Sequence, residues 1–155
     1  MRALLAAWVP ALGGLVLPLA EGAVSPCTGD LAAYRWTQRP LVVFAPDWAD
    51  PRHRVFTERA RLLAPDLADR DIALIHALAR TTERDPPCTV DLDAAARLRA
   101  ALGVAPQDAT VVLFGKDGTE KRRQSIDAPL EPLLELIDGM PMRQREVKSR
   151  DTLPP

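Results

Sequence analysis

The 155-residue sequence predicts an α/β fold in which a mixed four-stranded sheet carries helices on both faces, giving a three-layer sandwich. Two continuous apolar runs, residues 41–45 and 72–78, have the composition of strands that are covered on both sides. Apolar residues at helical spacing lie between and after these runs. A third apolar run at residues 110–114 is followed by the turn signal Asp117-Gly118, which predicts a hairpin with a fourth strand.

The first helix is predicted to begin at Pro51, because proline lacks an N–H group and is tolerated in the first turn of a helix. Pro65 is expected to end or bend this helix. Between the first strand and Pro51 the sequence predicts a polar turn, Asp47-Trp48-Ala49-Asp50, which contains no cysteine.

The second half of the domain follows the same logic. Asp91 or Asp93 is expected to cap the next helix, and Gly103 to end it. The fourth strand, residues 119–124, is basic and therefore typical of an exposed sheet edge. Strands joined through helices are expected to run parallel, so only the hairpin strand is predicted to be antiparallel. A last helix is predicted from the apolar stripe of Leu130, Leu133, Leu134 and Ile137.

The N-terminus, residues 1–23, is predicted to be a cleaved signal peptide. Arg2 supplies a positive charge, residues 3–20 are almost wholly apolar, and small residues follow. An uncleaved anchor is the alternative, since a spanning helix needs about 20 apolar residues. Pro26 argues against lipid attachment at Cys27. We expect a periplasmic or secreted protein with no stable membrane insertion after cleavage.

The rest of the chain is predicted to form one domain over residues 24–141, followed by a charged, mobile tail over residues 142–155. The net charge of −1 gives no electrostatic reason to expect nucleic acid as a partner. The sequence contains no Gly-rich phosphate loop, serine elbow or cysteine-rich metal cluster, so no cofactor is predicted.

Cys27 and Cys88 are the two cysteines of the sequence, and they are too far apart for a CxxC motif. In an exported protein they are expected to form a structural disulfide, which would contribute on the order of 4 kcal/mol by restricting the unfolded chain. Two free thiols and a functional redox pair are the alternatives. Nothing near either cysteine in the sequence indicates a lowered thiol pKa, except the more distant Arg84.

The polar turn supplies the other candidate residues. Asp47, Asp50 and His53 recur every three residues and would suit a divalent metal, although helix capping and an exposed histidine explain them as well. Trp48 is a candidate anchor for a partner, or else folds back onto the core. His76 lies within a predicted strand and is expected to be a hydrogen-bonded core or rim residue.

Six segments of the sequence carry a resemblance to a known family that covers roughly residues 31–146: residues 34–36, 39–46, 70–75, 110–113, 115–118 and 140–144. They resemble the domain of unknown function numbered 4174, found in bacterial exported proteins. Related domains occur in animal extracellular proteins of the sushi-repeat and coiled-coil-domain-containing-80 kind. The resemblance implies a thioredoxin- or peroxiredoxin-like fold without an established catalytic role.

The predicted order of elements is also that of a thioredoxin-like domain, and the comparison shows what is missing. Active thioredoxins carry a CxxC motif after the first core strand and a cis-proline before the strand that precedes the hairpin. Here the turn from Asp47 to Asp50 occupies the first position, and Ala109 falls at the second. We therefore expect a non-catalytic binding module with an unknown protein or small-molecule partner. A thiol-disulfide oxidoreductase using Cys27 and Cys88, and a metal-dependent activity at the turn, are the alternatives.

Overall fold

The computed structural model describes residues 27–80 and 88–152. The predicted signal peptide and the loop at residues 81–87 lie outside the described residues. Within the two described ranges, none of the helices has the length and hydropathy needed to cross a membrane.

Four strands form one mixed sheet, and their bounds are β1 Arg39–Ala45, β2 Ile72–Leu78, β3 Thr110–Phe114 and β4 Glu120–Ser125. Their order across the sheet is β2-β1-β3-β4. β1 is central and buried along its whole length, whereas β4 is an exposed edge strand. β1 pairs parallel with β2, and both β1–β3 and β3–β4 pair antiparallel. The predicted mixed four-stranded sheet is confirmed.

Five α-helices accompany the sheet in the described residues: α1 Pro51–Leu62, α2 Ala64–Asp69, α3 Leu92–Leu102, α4 Glu131–Asp138 and α5 Pro141–Asp151. A short 3-10 helix, Leu31–Tyr34, precedes β1. The bend predicted at Pro65 is the break between α1 and α2. Asp91 caps α3 by accepting a hydrogen bond from the Ala94 N–H, and Gly103 ends it with a left-handed φ of 63°.

The direction of β3 corrects the prediction that the first three strands are parallel. Arg99, near the end of α3, donates hydrogen bonds to the carbonyls of Ala45 and Ala77, at 2.6 and 3.2 Å. These carbonyls lie at the carboxyl ends of β1 and β2, so the chain leaves α3 at that end of the sheet. Because Thr110 then pairs with Phe44, β3 starts beside the end of β1 and runs back along it.

The two faces of the sheet hold separate apolar cores, because side chains alternate along β1. Leu41, Val43 and Ala45 face α1, α2 and α4, whereas Val42 and Phe44 face α3 and the 3-10 helix. The predicted three layers are therefore present, and the architecture is thioredoxin-like.

The tail predicted to be mobile is ordered instead through residue 152, because its charges have partners in the domain. Arg143 is buried and binds the carboxylates of Asp69 and Asp138. Glu146 forms a forked pair with the guanidinium of Arg39, with N–O distances of 3.1–3.2 Å. The domain therefore extends beyond residue 141 and includes α5.

Candidate functional site at the turn before α1

The turn between β1 and α1 is organised by its two carboxylates. Asp50 caps α1 by accepting a hydrogen bond from the Arg52 N–H at 2.9 Å, and its carboxylate also pairs with the Arg52 guanidinium at 2.8 Å. The side-chain hydrogen bond from Arg52 lowers the pKa of Asp50. Asp47 pairs instead with Arg80 at 2.7 Å. Each carboxylate of the turn is thus committed to an arginine.

This pairing gives no support to the metal-site hypothesis for Asp47, Asp50 and His53. The two carboxylates bind arginines, and the His53 ring turns away from them into the core. In the described part of the chain, no group of three or more His, Cys, Asp or Glu side chains is placed to hold a metal ion. The turn therefore lacks the oxygen-rich ligand set that hard cations require.

His53 was expected to be exposed, and that expectation is wrong: the residue is fully buried. Its Nε2 lies 2.8 Å from Nδ1 of His76, which is also buried. One ring donates and the other accepts in this bond. The Nδ1 atom of His53 has no hydrogen-bond partner in the structure. The two imidazoles form a buried, hydrogen-bonded pair between α1 and β2.

The sequence contained a signal for this pair. His53, Phe56 and Ala60 recur at i, i+3 and i+7, which places His53 on the inward face of α1. His76 alternates with Leu74 and Leu78, so its side chain points to the sheet face that α1 covers. Reading the two periodicities together would have predicted that the histidines meet.

Burial keeps both imidazoles neutral. It is the main cause that lowers the pKa of His76 to about 3, and the neighbouring His53 lowers it further. Burial also lowers the pKa of His53, while the Trp48 backbone and the carboxylates of Asp50 and Asp47 oppose that shift. At neutral pH the pair is therefore an uncharged, hydrogen-bonded element of the core.

Trp48 covers the histidine pair. Its ring meets the His53 ring edge-on, with centroids 5.1 Å apart, and it packs against the core on the α1 face. The ring is half-buried, so the alternative in which it folds back onto the core describes its packing. Its outer edge borders an open groove of about 910 Å³ along α1, in which Val55 is 50% and Leu62 is 71% exposed.

The predicted bridge between Cys27 and Cys88 is present, with the Cα atoms 5.3 Å apart. The Cys88 carbonyl accepts a hydrogen bond from the His76 N–H, and residue 90 returns one to the His76 carbonyl. The segment around Cys88 thus runs along the outer edge of β2. Cys88 packs on the α3 face of the sheet, whereas Trp48 packs on the α1 face. The sulfurs are therefore separated from the turn by the sheet.

These features define the class of protein: a thioredoxin-like domain whose first turn carries a tryptophan over paired histidines, without a thiol. The chain belongs to the family described as "Domain of unknown function (DUF4174)", whose model matches residues 30–146.

Among solved structures, the chain is distantly similar to a cysteine-to-serine mutant of the Entamoeba histolytica thioredoxin. The identity is 21%, the alignment covers 71% of this chain and 89% of that chain, and the TM-score is 0.40. No curated protein matches the chain.

Proposed function

We propose that this protein is an exported, non-catalytic binding module whose binding surface is the groove between Trp48 and the outer face of α1. The observation that carries the proposal is an open apolar groove along α1 that begins at the thiol-free turn. The Trp48 ring packs on the ring of His53, which in turn packs on the ring of His76. The groove is therefore bordered by a fixed aromatic wall.

The exposed side chains of the groove define the chemistry of its partner. Val55 and Leu62 lie seven residues apart on α1 and expose apolar surface that gains about 25 cal/mol for each Å² covered. Two positive charges, those of Arg54 and Arg59, line the same groove, whereas Glu58 contributes one negative charge. An apolar segment of a partner protein with acidic flanking residues fits this combination of surfaces.

Export is part of the proposal. The apolar N-terminal run after Arg2 supports it, as does the Cys27–Cys88 bridge, because disulfides persist in oxidising compartments. In a Gram-negative cell the module would work in the periplasm.

A photo-cross-linking residue placed at Leu62 tests the proposal in the native envelope, with the same residue at Leu92 as the matched control. Leu92 is also an exposed leucine on a helix, but α3 lies on the other face of the sheet. We expect one envelope protein to be cross-linked from position 62 and not from position 92. Equal labelling from both positions, or no cross-link from position 62, would refute the proposal that the groove is the binding surface.

A thiol-disulfide activity is the second candidate, and one observation favours it. Cys27 is exposed and, together with Thr89 and Arg97, lines an open cavity of about 450 Å³. A partner thiol could reach the bridge there. Turnover of a disulfide substrate that disappears in the Cys27→Ser variant would establish this activity, and no turnover by the parent protein would remove it.

A further inference from the structure

Three rings, those of Trp48, His53 and His76, form a stack at the wall of the groove. The centroids of Trp48 and His53 are 5.1 Å apart and those of the two histidines 5.0 Å, and both contacts are edge-on. His53 is held in α1 and His76 in β2, whereas Trp48 lies in a turn outside the helices and strands and is half-buried. Trp48 is therefore the ring of the stack that can move without unfolding a helix or a strand.

A second proton on His53 has no acceptor in this arrangement. Whichever histidine donates in the 2.8 Å bond between His53 Nε2 and His76 Nδ1, a protonated His53 carries an N–H at its own Nδ1. Among the described residues that atom has no hydrogen-bond partner, and the ring is fully buried. A buried charge and a buried N–H without an acceptor are both unfavourable, so the intact stack disfavours a protonated His53.

The surrounding charges do not remove this conflict. The charged and titratable groups at this part of the core come from the turn, from α1, from β2 and from the residues after β2: Asp47, Asp50, Arg52, His76 and Arg80. The two carboxylates favour a protonated His53, but each is paired with an arginine. β1 contributes apolar side chains, and Val43 lies beside His76. Burial outweighs the acids and keeps the pKa of His53 below its ordinary value of 6.5.

We propose that the ring stack is a pH-sensitive switch of the groove: in mild acid His53 takes up a proton and reaches water as Trp48 swings outward, and the groove loses its aromatic wall. The switch rests on the proposed function, because the groove is the site that it regulates. Partner binding and protonation oppose each other, since the partner binds the state with Trp48 in place and the proton binds the other state. A His53 ring in contact with water has the ordinary pKa, so the population of the open state rises by up to about tenfold for each pH unit below 6.5.

Fluorine NMR of the protein labelled with 5-fluorotryptophan tests the movement, because the change in chemical shift between H2O and D2O reports the exposure of each indole. We expect this isotope shift to rise at least about twofold for Trp48 between pH 7.5 and 5, while far-UV circular dichroism shows a folded protein. Trp36, which is 67% exposed, is the matched control and is expected to keep its isotope shift. An unchanged isotope shift for Trp48 would overturn the proposal.

The variant His53→Leu assigns the movement to the proton. It removes the titrating ring and leaves an apolar side chain beneath Trp48, so the isotope shift of Trp48 is expected to become independent of pH. A pH dependence equal to that of the parent protein would overturn the proposal. If His53→Leu fails to fold, the titration of His53 in the parent protein is followed by NMR instead. Its midpoint must then coincide with that of the Trp48 isotope shift, and two different midpoints would overturn the proposal.

The cross-linking residue at position 62 separates failure of the switch from failure of the groove. Between pH 7.5 and 5 we expect the cross-linking yield to fall at least about threefold in the parent protein, and to stay constant in the His53→Leu background. An equal yield at both pH values in the parent protein would overturn the switch and leave the groove as the binding surface. No cross-link at either pH would refute the groove itself, and the switch would fall with it.

Discussion

The two ends of the central strand bury ionisable side chains in opposite ways. Towards the end of β1, where His76 of β2 lies beside Val43, His53 and His76 are buried as a neutral pair that shares one hydrogen bond. At its start, Arg39 is buried as a cation that is neutralised by Glu146. The first arrangement depends on neither ring taking up a second proton, and the second on keeping two opposite charges together. The comparison teaches that burial alone does not tell how a polar group responds to mutation or to pH.

The charged end is expected to be the more sensitive to loss of one partner. Glu146→Ala removes the carboxylate that neutralises the buried Arg39, and breaking a buried pair in this way costs about 3–5 kcal/mol. Denaturant unfolding measures the loss. A change below about 1 kcal/mol would show that water reaches Arg39 freely and that the pair is not a buried one.

The neutral end is expected to respond to mild acid. The folded-state pKa of His76 is about 3, below its ordinary value of 6.5, so the unfolded chain takes up the proton first as the pH falls. The stability that this imidazole contributes is complete above pH 6.5 and is lost progressively towards pH 3. Between pH 7.5 and 5 we expect the free energy of unfolding to fall by about 2 kcal/mol, at 1.36 kcal/mol per pKa unit.

The pair of Arg39 and Glu146 should contribute little to the loss of unfolding free energy between pH 7.5 and 5. Burial alone would raise the pKa of Glu146, but hydrogen bonds from Lys116 and Arg39 outweigh it and leave the pKa below the ordinary 4.5. Its stabilising effect is therefore lost only under more acidic conditions. Unfolding curves of the parent protein and of His76→Leu at both pH values separate the two ends. An equally steep loss in the variant would contradict the assignment to His76.

At neutral pH the same variant should be less damaging than Glu146→Ala. His76→Leu leaves His53 Nε2 buried without its partner, in addition to Nδ1, and an unsatisfied buried group costs about 1–3 kcal/mol. His53→Ala in the same background removes the stranded ring, so the two losses are expected to be non-additive. Strictly additive losses would show that the rings do not depend on each other.

An exposed ion pair is expected to give the smallest change in the free energy of unfolding. Glu58 and Arg61 are 3.1 Å apart on the surface of α1, with both side chains about two-thirds exposed. Glu58→Ala is expected to change the free energy of unfolding by less than about 0.5 kcal/mol, because water and salt screen such pairs. Thermal unfolding at two salt concentrations checks this. A larger change would mean that a surface ion pair cannot serve as the reference for Glu146→Ala.

Much of the fold could be predicted because its strands are continuous apolar runs. The bounds of β2 and β3 coincide with the predicted residues 72–78 and 110–114. The direction of β3 could not be predicted from the connecting helix, because the contacts of Arg99 with two strand ends fix where the chain leaves α3. These contacts join residues far apart in sequence.

The site was predictable to a smaller extent. The cap at Asp50 follows from local sequence, as does the thiol-free turn around Trp48. The burial of His53 does not follow from its place in the first turn of a helix, which is usually solvated, although its spacing to Phe56 indicates it. The helix at residues 141–151 does not follow from its charges, which are typical of a solvated tail, because the partner of Arg143, Asp69, is distant in sequence.

The most direct test of the proposed function is the dissociation constant of the cross-linked partner, measured with the parent protein, Leu62→Glu, and the double variant Cys27→Ser/Cys88→Ser. We predict that Leu62→Glu weakens binding about tenfold or more, because it places a charge in an apolar contact, and that the double variant binds within about twofold of the parent while folded. Loss of binding in the cysteine variant, with Leu62→Glu unchanged, would contradict a function that resides in the groove and would assign it to the disulfide.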